Sequence, residues 1–413
     1  MRIIYSLLLY LLAPFIPFYL KKRGKKNPDY LKNWHERFSC KIYNNSNKPL
    51  IWLHSVSVGE TRAMQKMVFL LREGFPEYQL LITTMTPTGR ATAKNLYPSV
   101  IVHYIPYDLD FCVRKFYQIF KPKIGIIMET EIWPNLIHYA DKYKIPLYLV
   151  NARLSDRSYR GYHRFKYFIL PIINKFSAIL CQDENSMNNF KKLDYNGTLK
   201  TIGNTKFDLI ITKEIVEKIE QFKEYFSQRK VVTFASTRDG EEKLILDSLS
   251  LEEDVLYLFV PRHPERFQLL EQLLIDKKIN YQLRSKNQRI LATTKVVIGD
   301  SMGEMLAYYA ISYLVVIGGS INDFGGQNPL EAIFMDVPVI FGNSMFNFAE
   351  IAKNLLAMNC AMQFNNISLL NELINKLLVD STLYNELQLN CKQFIKKYQG
   401  ASQAVIDNIA GNL

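Results

Sequence analysis

The sequence predicts an α/β protein made of two consecutive doubly wound, Rossmann-like parallel sheets. Three observations carry the prediction. The chain has 413 residues, more than one hydrophobic core usually organises. Short apolar runs alternate with amphipathic stretches, the pattern of βαβ units. That alternation stops at a charged segment and then restarts.

The elements follow in chain order. From Ile3 to Leu20 the chain is apolar except for Ser6. A helix of that length spans roughly 27 Å, close to the hydrocarbon thickness of a bilayer. Lys21, Lys22, Arg23, Lys25 and Lys26 follow at once, with no small-residue cleavage site between. The segment is therefore expected to remain as a membrane anchor, with its basic flank on anionic headgroups at the cytoplasmic side. Pro14 and Pro17 would kink a spanning helix, so both a span and a segment lying in one leaflet stay open.

Beyond the anchor (residues 1–26), strands are expected at Leu50–His54, Leu80–Met85, Val100–Pro106, Ile124–Glu129, Leu147–Asn151 and Ala178–Gln182. Helical patterns such as Thr61–Arg72 and Trp133–Tyr143 lie between them. This first domain is set at residues 27–208 and an interdomain segment at 209–229. A second domain, 230–413, is expected to carry strands at Val231–Ala235, Val255–Val260, Val296–Ile298, Tyr313–Ile317 and Val337–Phe341. The stretch Leu383–Ile409 reads as helical and is expected to pack back on the first domain. Doubly wound sheets bind ligands at the carboxyl ends of their strands, so a cleft lined by the loops after the strands is expected.

Composition narrows the function. Hydrophobic residues make up 48% and charged residues 22% of the chain, an ordinary globular balance. The net charge of +12 favours an anionic partner, whether nucleic acid, membrane or phosphorylated substrate. Five scattered cysteines without a C-x-x-C pair argue against a disulfide framework or a zinc site and for a reducing compartment. Neither G-x-G-x-x-G nor G-x-x-x-x-G-K-[ST] occurs, which argues against dinucleotide enzymes and P-loop NTPases. Basic residues are not interleaved with stacking aromatics, so nucleic acid is not expected as a partner.

Five polar motifs follow strands. His54–Glu60 ends on a Gly-Glu at a strand-to-helix turn, where Glu60 could deprotonate a hydroxyl or simply complement the helix dipole. Met128–Asn135 places Glu129 and Glu131 two apart, so one can be perturbed and the other solvated; acids of a first helical turn are the plainer reading. In Pro261–Arg266, Arg262 and His263 suit a phosphate or a carboxylate, whereas Arg266 fits a surface ion pair better. Gly299–Glu304 opens a helix whose amides could hold an anion, or is an ordinary capped start. Strongest is Gly318-Gly319-Ser320 followed by Gly325–Ala332. There Asn328 as N-cap and Pro329 at N1 should start a helix with free amides, and Glu331 could accept from ribose hydroxyls. Asp108-Leu109-Asp110 mimics a metal pair but has no supporting cluster, so a solvated loop is expected.

These motifs together resemble the family of 3-deoxy-D-manno-octulosonic acid (Kdo) transferases of lipopolysaccharide assembly. The resemblance runs through HSVSVGET (His54–Thr61), TTMTPTG (Thr83–Gly89), METEIWPN (Met128–Asn135) and NARLSDRS (Asn151–Ser158). It continues through GNTKFD (Gly203–Asp208), VPRHPERF (Val260–Phe267), GDSMGE (Gly299–Glu304) and GGQNPLEA (Gly325–Ala332). It implies a glycosyltransferase of GT-B type at the cytoplasmic face of the bacterial inner membrane. The implied donor is CMP-Kdo and the implied acceptor a tetraacylated, bisphosphorylated lipid A precursor, with inversion and with neither metal nor cofactor. It further implies Glu60 as general base and Glu129 and Lys206 as transition-state support. Pro261, Arg262, Met302, Gly303, Glu304, Asn328, Pro329, Leu330 and Glu331 carry over as CMP contacts. Lys206 is invisible to spacing alone. Two other readings keep the same sequence features: a same-fold glycosyltransferase with a different nucleotide-sugar donor, and a non-catalytic membrane scaffold.

Overall fold

A computed structural model describes residues 2–226 and 229–413. Met1, in the expected anchor, and Ser227–Gln228, in the expected interdomain segment, lie outside the described residues. The chain divides into two compact units. The first runs up to Ile210 and takes in Tyr398–Leu413; the second is Ile211–Lys397.

The first unit is built on strands β1 (Leu50–Ser55), β2 (Gln79–Thr84), β3 (Ile101–Tyr104), β4 (Ile124–Met128), β5 (Leu147–Ala152), β6 (Ala178–Cys181) and β7 (Thr198–Thr201). They form one parallel sheet in the order β3-β2-β1-β4-β5-β6-β7. Side chains alternate between its two faces. Leu50 and Trp52 enter one core and Ile51 and Leu53 the other, because β1 is covered on both sides by helices. The strand order reverses between β1 and β4, the place where such sheets bind ligands.

The second unit repeats the plan with β8 (Lys230–Thr237), β9 (Val255–Pro261), β10 (Tyr281–Leu283), β11 (Val296–Ile298), β12 (Leu314–Ile317), β13 (Val339–Phe341) and β14 (Ala361–Gln363). All pairings are again parallel, in the order β10-β11-β9-β8-β12-β13-β14. Its reversal lies between β8 and β12.

The doubly wound prediction is borne out, with β7, β10 and β14 as strands the sequence did not announce. Each lies at a sheet edge. An edge strand needs no continuous apolar run, and Thr198–Thr201 alternates exposed and half-buried residues. Two expected helices are broken. Thr61–Arg72 divides at Met64 into Val58–Ala63 and Gln65–Gly74, and Leu383–Ile409 divides at Gln399-Gly400 into Ser381–Tyr398 and Ala401–Ile409. Gly400 has φ +102°, a left-handed turn that glycine takes without a Cβ penalty.

The Ala401–Ile409 helix belongs to the first unit, where Val405, Ile406 and Ile409 enter the core beside Met67 and Leu71. Asp208 fixes its start, accepting from the amides of Gly400 (2.7 Å) and Ser402 (2.5 Å). A carboxylate at a helix N-terminus satisfies orphan amides and complements the dipole.

The N-terminal segment is helical over Arg2–Leu12 and Ile16–Lys26 with a 3₁₀ turn at Ala13–Phe15. Together they are long and apolar enough to cross a membrane. The first helix nevertheless lies against its own unit. Arg2 donates to Asp110 Oδ1 (3.2 Å) and Asn135 Oδ1 (2.9 Å), and Ser6 to Asn135 Oδ1 (3.0 Å). Ile3, Leu7, Leu11 and Phe15 point outward, 63–71% exposed.

Candidate functional site

The switch point of the first sheet gathers three carboxylates and one ammonium. Ser57 caps the Val58–Ala63 helix after β1, its hydroxyl accepting from Glu60 N at 3.3 Å. Glu60 folds back, accepting from Val56 N and the Ser57 hydroxyl, both at 2.8 Å. The two readings of Glu60 therefore coincide: it is a capping-box acid and a group at the carboxyl end of β1. Its side chain is buried, and burial pushes its carboxyl up, with the Glu129 charge adding to this against the bonds from Val56 and Ser57.

Glu129 follows β4 at φ +57°, a conformation uncommon outside glycine and often found at functional sites. Its Oε1 stands 3.4 Å from Lys206 Nζ. Lys206 lies in a 3₁₀ turn, Thr205–Phe207, capped by Asn204, whose Oδ1 accepts from Lys206 N at 3.0 Å. Asn151, at a bulge in β5, accepts from Thr205 N at 3.1 Å and so ties the turn to the sheet. The Glu131 carboxyl is pushed up from the ordinary glutamate range. Burial raises it, Trp133 Nε1 opposes with a hydrogen bond at 2.6 Å, and the charges of Glu60 and Glu129 raise it further. Glu60, Glu129 and Lys206 are thus brought together, and Glu131, to which the resemblance gave no role, joins them.

In the second unit the expected residues also follow strands. Pro261 ends β9 and Arg262 is exposed beyond it, its amide donating to Thr237 O at 3.0 Å. The buried Tyr309 lies in the field of both Glu331 and Arg262. Met302 is 62% exposed and Gly303 takes φ +82°. Glu304 is engaged within the unit: its Oε1 takes Lys218 Nζ and Arg284 Nη2, each at 3.0 Å. Burial works to raise its carboxyl, but Ser301, Lys218 and Arg284 hold it below the ordinary range. Arg266 clasps Glu242 through Nε (3.0 Å) and Nη2 (2.6 Å), a structural pair as the sequence favoured.

The expectations for the glycine-rich helix start and for Asp108 and Asp110 are corrected. The helix after the glycines is short, Leu330–Phe334, with Pro329 in the cap position. Asn328 Oδ1 accepts from Leu330 N at 3.1 Å, and Asn328 Nδ2 donates to Glu331 Oε1 at 3.3 Å. The amides of the Gly318–Asn322 turn are also not free. The fully buried Glu241 takes those of Gly319 (2.7 Å), Ile321 (3.0 Å) and Asn322 (3.2 Å). Glu241 went unnoticed because a Glu after Asp239-Gly240 reads as a helix-starting acid. Arg238 beside it, 3.1 Å from His263 Nε2, is a further cation at this edge. The solvated reading of Asp108 and Asp110 fails as well. Asp108 is buried and caps Pro134–Lys142 through Asn135 N (3.0 Å) and Leu136 N (2.7 Å), while Asp110 accepts from Tyr139 Oη at 2.8 Å. Among the described residues no three His, Cys, Asp or Glu side chains form a group that could hold a metal ion.

A family model described as 3-deoxy-D-manno-octulosonic-acid transferase (kdotransferase) matches residues 32–209. The 3-deoxy-D-manno-octulosonic acid transferase of Haemophilus influenzae is 35% identical, over 98% of this chain and 97% of its own length. The enzyme of the same description from Rickettsia bellii is 31% identical, again over 98% and 97%. Among solved structures, the UDP-GlcNAc 2-epimerase of Neisseria meningitidis bound to UDP-GlcNAc has a TM-score of 0.57 at 15% identity, covering 88% of this chain and 100% of that one. That last likeness is one of fold.

Proposed function

The chain belongs to the 3-deoxy-D-manno-octulosonic acid (Kdo) transferase family, and on that premise we propose that it transfers Kdo from CMP-Kdo to lipid IVA, a tetraacylated lipid A precursor. The transfer inverts the anomeric carbon and serves lipopolysaccharide core assembly. The observation that carries the reading is Glu60: a buried carboxyl with a raised pKa, at the switch point of the first sheet, with Glu129, Glu131 and Lys206 around it.

In this reading the acceptor hydroxyl gives its proton to Glu60 as its oxygen bonds the anomeric carbon. The bond from that carbon to the CMP phosphate oxygen breaks in the same event. A raised pKa strengthens the base, and the Val56 amide and Ser57 hydroxyl fix its orientation while leaving acceptor capacity on a carboxylate that has four lone-pair positions. Lys206 stabilises negative charge beside Glu129. On the second unit Arg262 takes the phosphate or the Kdo carboxylate, Pro261 and Met302–Glu304 line the nucleotide, and Asn328–Glu331 present the helix start and a carboxylate to it. Glu304 acts through its hold on Arg284 and Lys218.

The N-terminal helices attach the protein to the cytoplasmic leaflet of the inner membrane. We place them within that leaflet, the first helix being hydrogen-bonded through Arg2 and Ser6 to its own unit.

The test is a donor panel with lipid IVA as acceptor, read by mass spectrometry, with the product anomer assigned by NMR. Turnover with CMP-Kdo and not with UDP-sugars, giving the inverted anomer, supports the reading. Transfer from a UDP-sugar instead would replace the donor assignment.

A further inference from the structure

The helix Asp156–Arg164 carries three arginines for which the carboxylate site has no use. Successive helical residues turn by about 100°, so Arg157, Arg160 and Arg164 fall within an arc of about 60°. Tyr159 and Tyr162, on the opposite side, pack against the core of the first unit. The arginines therefore share one outward face, and all three are exposed. Among the described residues Arg157 and Arg164 form no ion pair. Arg160 has only the field of Asp156, whose carboxylate is held by Asn189 Nδ2 at 2.8 Å. Gly161 lies beside the row and has open space where a side chain would stand. A mid-helix glycine is unfavourable for the helix itself, but here it keeps the face uncovered.

The ends of this helix give the row its meaning. Its start follows β5, where the Thr130 hydroxyl of the Glu129–Glu131 loop bonds the Arg153 carbonyl. Midway, Tyr162 lies in the field of Glu131. Its end runs into Phe165 and Tyr167, 63% and 95% exposed, and Phe168 packs on Tyr5 of the N-terminal helix at 6.2 Å. The helix thus runs from the Glu129–Glu131 loop at its start to an apolar rim at its end that touches the N-terminal helix, with the arginines on its solvent face. Guanidinium groups match phosphate oxygens as bidentate forks, and Arg157, Arg160 and Arg164 follow one another at about 4.5 and 6 Å along the axis.

We infer that this arginine row binds the phosphate monoesters of the glycolipid acceptor, holding its headgroup at the bilayer surface with a sugar hydroxyl toward Glu60. The inference rests on the acceptor proposed above, so its test reads binding rather than transfer. The triple variant Arg157→Gln/Arg160→Gln/Arg164→Gln changes only exposed side chains and should melt as the full-length protein does. Both proteins are titrated with neutral phosphatidylcholine nanodiscs doped with tetraacylated diglucosamine bisphosphate, with its dephosphorylated form, or with phosphatidylglycerol.

The expected result is a loss of about tenfold or more in affinity for the bisphosphate discs, the worth of one or more charge-assisted contacts. Removing the phosphates should weaken the natural protein by a similar factor and leave the variant unchanged. An unchanged affinity of the variant for the bisphosphate discs overturns the inference. So does an equal loss on dephosphorylated discs, or an equal loss on phosphatidylglycerol discs, which would make the row a general anionic-lipid contact. A failure of the donor assignment leaves each of these outcomes readable.

Discussion

In the proposed reaction Glu60 serves both the fold and the chemistry. The hydrogen bonds that let it cap a helix also aim it, and the burial that makes it costly to ionise makes it a stronger base. The sign of its pH effect follows. A base accepts a proton only when ionised, so transfer should fall as pH drops through the Glu60 pKa. Because burial raises that pKa, the acid limb of kcat/KM should lie above the ordinary glutamate value of about 4.3. A limb at or below that value would mean another group controls the acid side. Spacing alone left Glu60 balanced between cap and base because both roles ask for the same residue at the same turn. Lys206 came only from the family resemblance and not from spacing, since its approach to Glu129 depends on Asn151 gripping a turn far along the chain.

At the scale of elements, central strands were legible because helices bury them on both faces and they read as continuous apolar runs. Edge strands β7, β10 and β14 were not, because their pairing needs no such run. The glycine-rich turn of the second unit was legible as a turn but not as one satisfied by Glu241, whose contacts are tertiary. The Asp of the GNTKFD motif acts at the level of an element. Asp208 caps Ala401–Ile409 through two amides and so anchors the chain end in the first core. Asp208→Ala should therefore cost about 1–2 kcal/mol, or a fall in melting temperature of about 2–4 °C for each kcal/mol in a unit of this size. Thermal melting checks this. An unchanged midpoint would show that Val405, Ile406 and Ile409 hold the helix without its cap.

For the whole molecule, the sequence placed an apolar segment before a basic cluster, but only tertiary contacts at Arg2 and Ser6 bear on how that segment meets the bilayer. With the helices lying in one leaflet, an epitope tag at the N-terminus should be cut by protease added to inverted membrane vesicles and protected in intact spheroplasts. The reverse pattern would mean that the segment spans. The net charge of +12 fits this arrangement at an anionic surface. Both units place their candidate site residues after parallel strands, with Glu60 on the first and Arg262 on the second. In the proposed reaction Glu60 acts on the acceptor hydroxyl and not on the donor. Its most direct test measures CMP affinity and single-turnover transfer to lipid IVA in the same Glu60→Gln preparation. Transfer should fall by about 10²–10⁴-fold while CMP affinity stays at the value of the unaltered protein. Transfer that survives, or CMP affinity that falls along with it, would contradict the assignment of Glu60 as the base.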